Sequence, residues 1–475
     1  MKKLGYLFSV LWLSTSTLAR AEQPNPMPQE QQLNLNNQQL RKALNTSIAP
    51  QQTHTTVISL TSEQLLQQLA LLTQALDTAS ANADNATLHL LLPLYKKLPQ
   101  TQQDPILLQF AQARLAQTEQ NYSEAIEIFQ TLLEKYPDIT PIRVQLAESL
   151  IENHQYHSAN KQITEIRQTP DIPKDILIQL NGLKTIEERE KDWSITGNLR
   201  FLKEKNVNNA PSQRKIQLEN GELTLPEPKS ATGIGFYAAL SKDFLLADHW
   251  RWKNELSTEG KYYWDNHDYT DINTRFSAGI AWQNSQKELA LLPFIERRWF
   301  ATESYSKSKG IALLYRMIFS PQWQGFTNLQ LTRKTYDDRT YLDGNQLSSS
   351  FILLYHPSTL QAWFTGIDLA REKTKDSSES YRYQAVRFGW EQIWHYGISS
   401  SITLGVALRN YDTANFFNIK RKDKEYRSRI SLWKQNWHWY GFTPKLTWQW
   451  KKLTSNDPYY PYHKNEIFIE IQRNF

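Results

Sequence analysis

The chain has 475 residues, with 54 Lys and Arg against 48 Asp and Glu, and its net charge of +6 is spread too evenly to mark a nucleic-acid binder. It has no cysteine, which excludes a disulfide framework and a thiol for lipid attachment. Beyond the first residues no run of about 18 apolar residues occurs, so a helical membrane span is not expected either.

Lys2 and Lys3 precede an apolar stretch from Leu4 to Leu13, and Ala19-Arg20-Ala21 follows. This reads as a secretory signal peptide, residues 1–21, cleaved before Glu22. Residues 22–59 are rich in Gln, Asn and Pro and poor in large apolar side chains, so they read as a leader or tether that cannot build a core.

From residue 60 to 191 the pattern is helical, with Leu, Ala, Glu and Gln dominant. Residues 106–140 have the spacing of a tetratricopeptide repeat: Ala113 in the first helix, Tyr122, Ala125 and Phe129 in the second, and Pro137 closing the unit. The small residues let two helices approach, the aromatic residues fill the space between them, and the proline stops the second helix. The pattern recurs about 34 residues on as Leu146-Ala147, Tyr156 and Ala159, with Ile163 where the aromatic residue of the second helix would stand. Such helix pairs stack into a solenoid with a concave groove suited to holding a peptide or protein. His154 and His157, in HQYH between the helices, are two ligands without a third and make a weak metal site.

At Asp192-Trp193 the composition changes: one of the 16 tryptophans lies in the signal peptide and the others at or beyond Trp193. Period-two alternation starts there too, as in Ile402, Leu404, Val406 and Leu408 against Ser401, Thr403, Gly405 and Arg409. Such segments begin near 193, 233, 250, 272, 288, 309, 323, 347, 360, 382, 399, 427, 442 and 464. Fourteen strands at about twenty residues each suit an antiparallel transmembrane β-barrel with short turns at one end and longer loops at the other. Outer-loop candidates are residues 202–230, REKTKDSSES and the stretch around NFFNIKRKDK. Clusters such as Tyr262-Tyr263-Trp264 beside polar loops fit an interfacial aromatic girdle, which favours the barrel over a secreted sandwich or propeller. The mean hydropathy of −0.61 agrees, since only alternate barrel residues meet lipid.

The last strand, KNEIFIEIQRNF, sets Ile467, Ile469 and Ile471 against Glu466, Glu470 and Gln472 and runs in pattern to Phe475. It reads as the strand that closes the barrel on the first one, Trp193 to Phe201, with Phe475 as an assembly signal and Gly197 as a seam position with no side chain to pack. Arg473 stands where an apolar residue is more usual.

Signal peptide, periplasmic repeats and a barrel of about fourteen strands together resemble the surface lipoprotein assembly modulators, the Slam family of Gram-negative bacteria. The sharpest local likeness is Asn206-Val207-Asn208-Asn209-Ala210-Pro211, similar to the family's motif after strand one; by itself the hexapeptide is an Asn-rich turn. The resemblance implies a translocator in the outer membrane that delivers lipoproteins, or soluble haem-binding proteins, from periplasm to cell surface. It also implies cargo delivery by periplasmic chaperones and insertion by the barrel assembly machinery. On this reading the repeat groove, with Ala113, Tyr122, Phe129, Leu146 and Tyr156, recruits cargo beneath the barrel, which passes it through the lumen or the seam.

Other classes stay open on residues alone. A barrel hydrolase would need a His-carboxylate pair, and Asp248-His249 and His267-Asp268 are available. DDRTYLDGN, 337–345, has calcium-like carboxylates but reads as a hairpin loop with an Asp-Gly turn. A diffusion porin would suit the polar inward faces but has no use for repeats. No cofactor is implied, and no phosphate-binding glycine loop occurs.

Overall fold

The structure is a computed structural model describing residues 61–169, 172, 174, 176–178, 180–183, 192–218, 221–437 and 442–474. The expected signal peptide, the leader and Phe475 lie outside the described residues.

The first part is helical: α1 (Ser62–Gln67), α2 (Leu69–Asn82), α3 (Asn85–Tyr95), α4 (Pro105–Thr118), α5 (Tyr122–Lys135), α6 (Thr140–Glu152) and α7 (Tyr156–Arg167). Local chemistry sets the helix starts. Asp84 and Asp104 accept backbone N–H groups of the first turns of α3 and α4, and Pro105 follows Asp104 at a position where its missing N–H costs nothing. The helix pairs α4–α5 and α6–α7 are the two repeats. Ala113, Ala125 and Phe129 of the first, and Ala147, Ala159 and Ile163 of the second, are buried in one continuous core. Ile163 therefore fills the space an aromatic residue fills in the first repeat. Arg114 stitches the repeats to α2, its Nε donating to the Ser80 carbonyl at 2.8 Å.

The second part is a closed antiparallel barrel. Its chain order is β1 (Ser194–Glu204), a small hairpin of β2 (Lys215–Leu218) and β3 (Gly221–Thr224) in the following loop, then β4 (Ala231–Ala247), β5 (Trp250–Tyr263), β6 (Asp271–Gln283), β7 (Lys287–Phe300), β8 (Glu303–Ile318) and β9 (Trp323–Tyr336). It continues with β10 (Gly344–Ser358), β11 (Gln361–Thr374), β12 (Tyr381–Ile393), β13 (Ile398–Tyr411), β14 (Lys422–Lys434), β15 (Thr443–Ser455) and β16 (Tyr462–Asn474). Leaving out the hairpin, fourteen strands pair in sequence and β1 closes on β16. The starts read from alternation agree with these bounds, the largest difference being residue 309 against Glu303.

Alternation decides which way each side chain faces. On β12, Tyr381, Tyr383, Ala385 and Arg387 are buried inside, while Val386 and Phe388 are exposed on the outer surface. Turns are short at one end, as at Asp248-His249, and longer at the other, where residues 205–230 and 412–421 lie. REKT belongs to β11 and not to a loop, so that connection is only residues 375–380. Gly344 likewise starts β10 and does not turn the hairpin; a Cβ there would lie 2.0 Å from the Lys373 carbonyl oxygen, and the turn is made by Thr340–Leu342.

Gly389 is required by a close approach. It pairs with Phe364 across β11 and β12, and a Cβ would stand 1.9 Å from that ring. Gly389→Val should push the ring off its partner and cost about 1–3 kcal/mol. The check is the temperature at which the folded barrel band disappears in detergent gels, which should fall; an unchanged temperature contradicts the packing described.

Candidate functional site

Two places join parts of the chain that are far apart in sequence: the contact between the repeats and the barrel, and the seam between β1 and β16.

The first is built on a turn. Gln120 and His154, 34 residues apart, occupy the same position between the two helices of each repeat, with φ of 63° and 62°. In the second repeat this turn docks on the short-turn end of the barrel. The His154 carbonyl accepts the His249 N–H at 3.2 Å. Asn153 Oδ1 accepts the Ser285 N–H at 3.3 Å and its hydroxyl at 3.2 Å. Asp248 Oδ1 accepts the Ser158 N–H at 3.1 Å, and its other oxygen accepts the Ser158 hydroxyl.

His154 is the centre of this junction and is buried. Its Nδ1 is 3.0 Å from the Tyr156 hydroxyl and 3.1 Å from Arg251 Nη2, while the Gln283 amide lies 3.0 Å from Nε2. Arg251 only donates, so Nδ1 is the acceptor and Nε2 carries the proton. The Gln283 amide then presents its oxygen to Nε2, and that is the atom otherwise left with no partner. Burial, followed by the nearby Arg251, Arg316, His249 and Lys253, holds the His154 imidazole well below its ordinary pKa, so it is neutral. The Arg251 guanidinium also lies over the Tyr156 ring, 5.4 Å from its centre.

These contacts reassign several residues. Ala113, Phe129, Leu146 and Tyr156 were expected to line a cargo groove but are buried, and only Tyr122 is half-exposed. A repeat consensus marks the positions that pack two helices together, so these residues build the scaffold. His157 points away and is exposed, while both ring nitrogens of His154 are engaged, so HQYH does not act as a metal pair. Asp248-His249 is a docking turn. His267 packs on Tyr262 with ring centres 5.4 Å apart. In DDRTYLDGN, Asp337 pairs with Arg297 at 3.1 Å and Asp343 with Lys375 at 2.8 Å; among the described residues no metal-ligand cluster occurs.

The second place is the seam. Thr196 to Arg200 pair with Asn474 to Glu470 over five positions, whereas β1 pairs with β4 over eleven and β15 with β16 over eleven. Above those five, the edges are linked by side chains and a strap. Lys464 Nζ donates to Glu204 at 3.0 Å, Lys261 donates to the same carboxylate at 2.6 Å, and Tyr263 donates to it as well. Arg200 lies over the Phe468 ring. The Ser212 N–H reaches across to the Pro461 carbonyl at 2.8 Å, with its hydroxyl 3.3 Å from His463 Nδ1.

The hexapeptide 206–211 forms that strap's rigid base. Asn206 closes on Ala210 through both amide atoms, at 2.7 and 2.9 Å. Asn208 bonds Lys229 N–H at 2.8 Å and the Glu227 carbonyl at 2.7 Å. Asn209 takes a φ of 48°, a left-handed conformation asparagine tolerates well. Val207 is buried against Leu202, Ala231, Tyr263 and Tyr269. Asparagine suits these positions because its amide replaces backbone partners on both sides. Gly197 lies in the five-position ladder opposite Arg473, and a Cβ there would come no nearer than 3.9 Å to the Tyr237 carbonyl, so a small side chain fits.

Comparison with known proteins agrees with this architecture. The family described as "Surface lipoprotein assembly modifier" matches residues 193–475, and its "N-terminal TPR repeats" match residues 58–163. "Surface lipoprotein assembly modifier 1" of Haemophilus influenzae is 34% identical over 100% of this chain and 99% of that relative. "Surface lipoprotein assembly modifier" of Pasteurella multocida is 33% identical over 88% of this chain and 86% of its own length. "Hemophilin secretion modulator" of Acinetobacter baumannii is 22% identical over 78% and 79%.

Proposed function

The chain belongs to the surface lipoprotein assembly modifier family, and on that premise we propose that it delivers lipoproteins, or soluble haem-binding proteins, across the outer membrane to the cell surface. The helical domain lies in the periplasm and the barrel spans the outer membrane. The observation that carries this reading is the buried junction: Asn153, His154 and Ser158 fix the repeats to the barrel turns at Asp248-His249 and Ser285. A recruiting domain held there keeps a bound passenger at the barrel mouth, at high local concentration, and does not need to find it again. The binding surface of the repeats is formed by side chains that point outward from the packed core. Periplasmic chaperones hand the passenger over, and the barrel assembly machinery inserts the barrel. With no phosphate-binding loop in the chain, passenger folding or capture outside drives the movement.

Deleting residues 60–191 tests the recruitment step. Surface-exposed passenger should fall by about tenfold or more, while the barrel is still inserted. Undiminished delivery overturns it.

A further inference from the structure

Building on the translocator reading, we propose that the surface-side half of the β1–β16 seam is a strand-addition site, where an extended passenger segment pairs with the barrel as it leaves. Among the described residues the remaining ladders of the barrel each run over at least eleven positions, and this one over five. β1 continues through Phe201 to Glu204, and β16 starts eight residues before the ladder, at Tyr462. Both stay regular because each is paired on its other side, β1 with β4 and β16 with β15.

The register sets what stands at the far end of the unpaired stretch. Thr196 faces Asn474 and Arg200 faces Glu470, so extending it by four positions would set Glu204 directly opposite Glu466. Like charges directly across a strand pair oppose pairing. Glu204 turns instead to Lys261 and Lys464. The unpaired stretch ends beside these two carboxylates, and it opens toward the side that carries the long loops.

The edges also specify the occupant. Strand edges attract an extended chain through their backbone N–H and C=O groups. Outward, the flanking residues Phe201 and Ile469 are exposed apolar side chains on the lipid face. Inward stand Glu204 and Glu466. The fitting partner is an extended passenger segment with apolar residues facing lipid and polar residues facing the lumen. Such a segment continues the ladder that Thr196 to Arg200 begin. Entry requires the strap contact from Ser212 to Pro461 to release.

The experiment uses the full chain in cells, with an epitope-tagged surface lipoprotein encoded beside it as the passenger. A photoreactive phenylalanine analogue is placed at Phe201, at Ile469 and, as a control on the lipid face elsewhere, at Val386. Passenger cross-links are expected at the two seam positions and not at the control. In parallel, Glu466→Lys, which removes the like charge facing Glu204, should let the ladder extend and lower surface delivery by about tenfold, with barrel insertion unchanged. Surface delivery without seam cross-links, or Glu466→Lys exporting as well as the parent, overturns the docking site and leaves the translocator reading standing. A parent chain that delivers no passenger overturns both.

Discussion

Phe129→Ala is expected to melt the helical domain roughly 10–20 °C lower than the parent while leaving the barrel intact. The Phe129 side chain is fully buried between the helices of the first repeat, its ring centre 6.0 Å from that of Phe110. Truncating a buried phenylalanine costs about 3–5 kcal/mol, because the lost transfer energy is joined by a cavity the neighbours fill only in part. A domain holds only about 5–15 kcal/mol in total, so this one change removes a large fraction. The helix signal of the full chain in detergent, followed by far-ultraviolet circular dichroism on heating, reads it. A midpoint within about 2 °C of the parent contradicts the assignment of Phe129 to the scaffold core. Passenger delivery should fall with it, through loss of the scaffold and without loss of a direct contact.

His154→Ala should undock the repeats from the barrel. It leaves Arg251 and the Gln283 amide without their imidazole partner at a buried interface. Each such loss costs about 1–3 kcal/mol, so the docking equilibrium should weaken by roughly 30-fold to about 25,000-fold. The amides of Ser158, His249 and Ser285 donate across the junction, and their hydrogen exchange should accelerate accordingly. Undisturbed protection contradicts the central place given to His154.

Acid should act in the same direction. Undocked, the imidazole titrates near about 6.5; docked, burial and the surrounding Arg251, Arg316, His249 and Lys253 hold it lower. Below the undocked value the undocked form therefore binds one more proton, and docking weakens as pH falls, by at most about 1.4 kcal/mol per pH unit. Above that value the docking contribution is complete. Protection of the Ser285 amide, its observed exchange taken against the intrinsic rate at each pH, should fall on the acid side in the parent, and the fall should be missing in His154→Ala.

Much of the architecture is legible in the sequence, and particular residues explain where legibility ends. Strands announce themselves because a barrel wall has one lipid face, so Ile402, Leu404 and Val406 must point outward together. The repeats are legible because Ala113 and Ala147, or Tyr122 and Tyr156, recur at a fixed offset. That same regularity misleads about binding, since recurring residues are the ones packed inside. His154 and Asp248-His249 stand out as polar motifs, and metal or acid-base chemistry is a fair first reading of each alone. They bind each other, and a pairing of that kind depends on how a helical turn meets a barrel rim, which no periodicity encodes. The short seam is equally hidden, because Glu204 and Glu466 conflict only in the register at which β1 meets β16.

The measurement that bears most directly on the proposed function is antibody labelling of a tagged lipoprotein on intact Gram-negative cells, with and without this chain. Passenger accessible at the surface only when the chain is present is the predicted result. Equal labelling in both, or a passenger that stays inside while the barrel is correctly inserted, contradicts it.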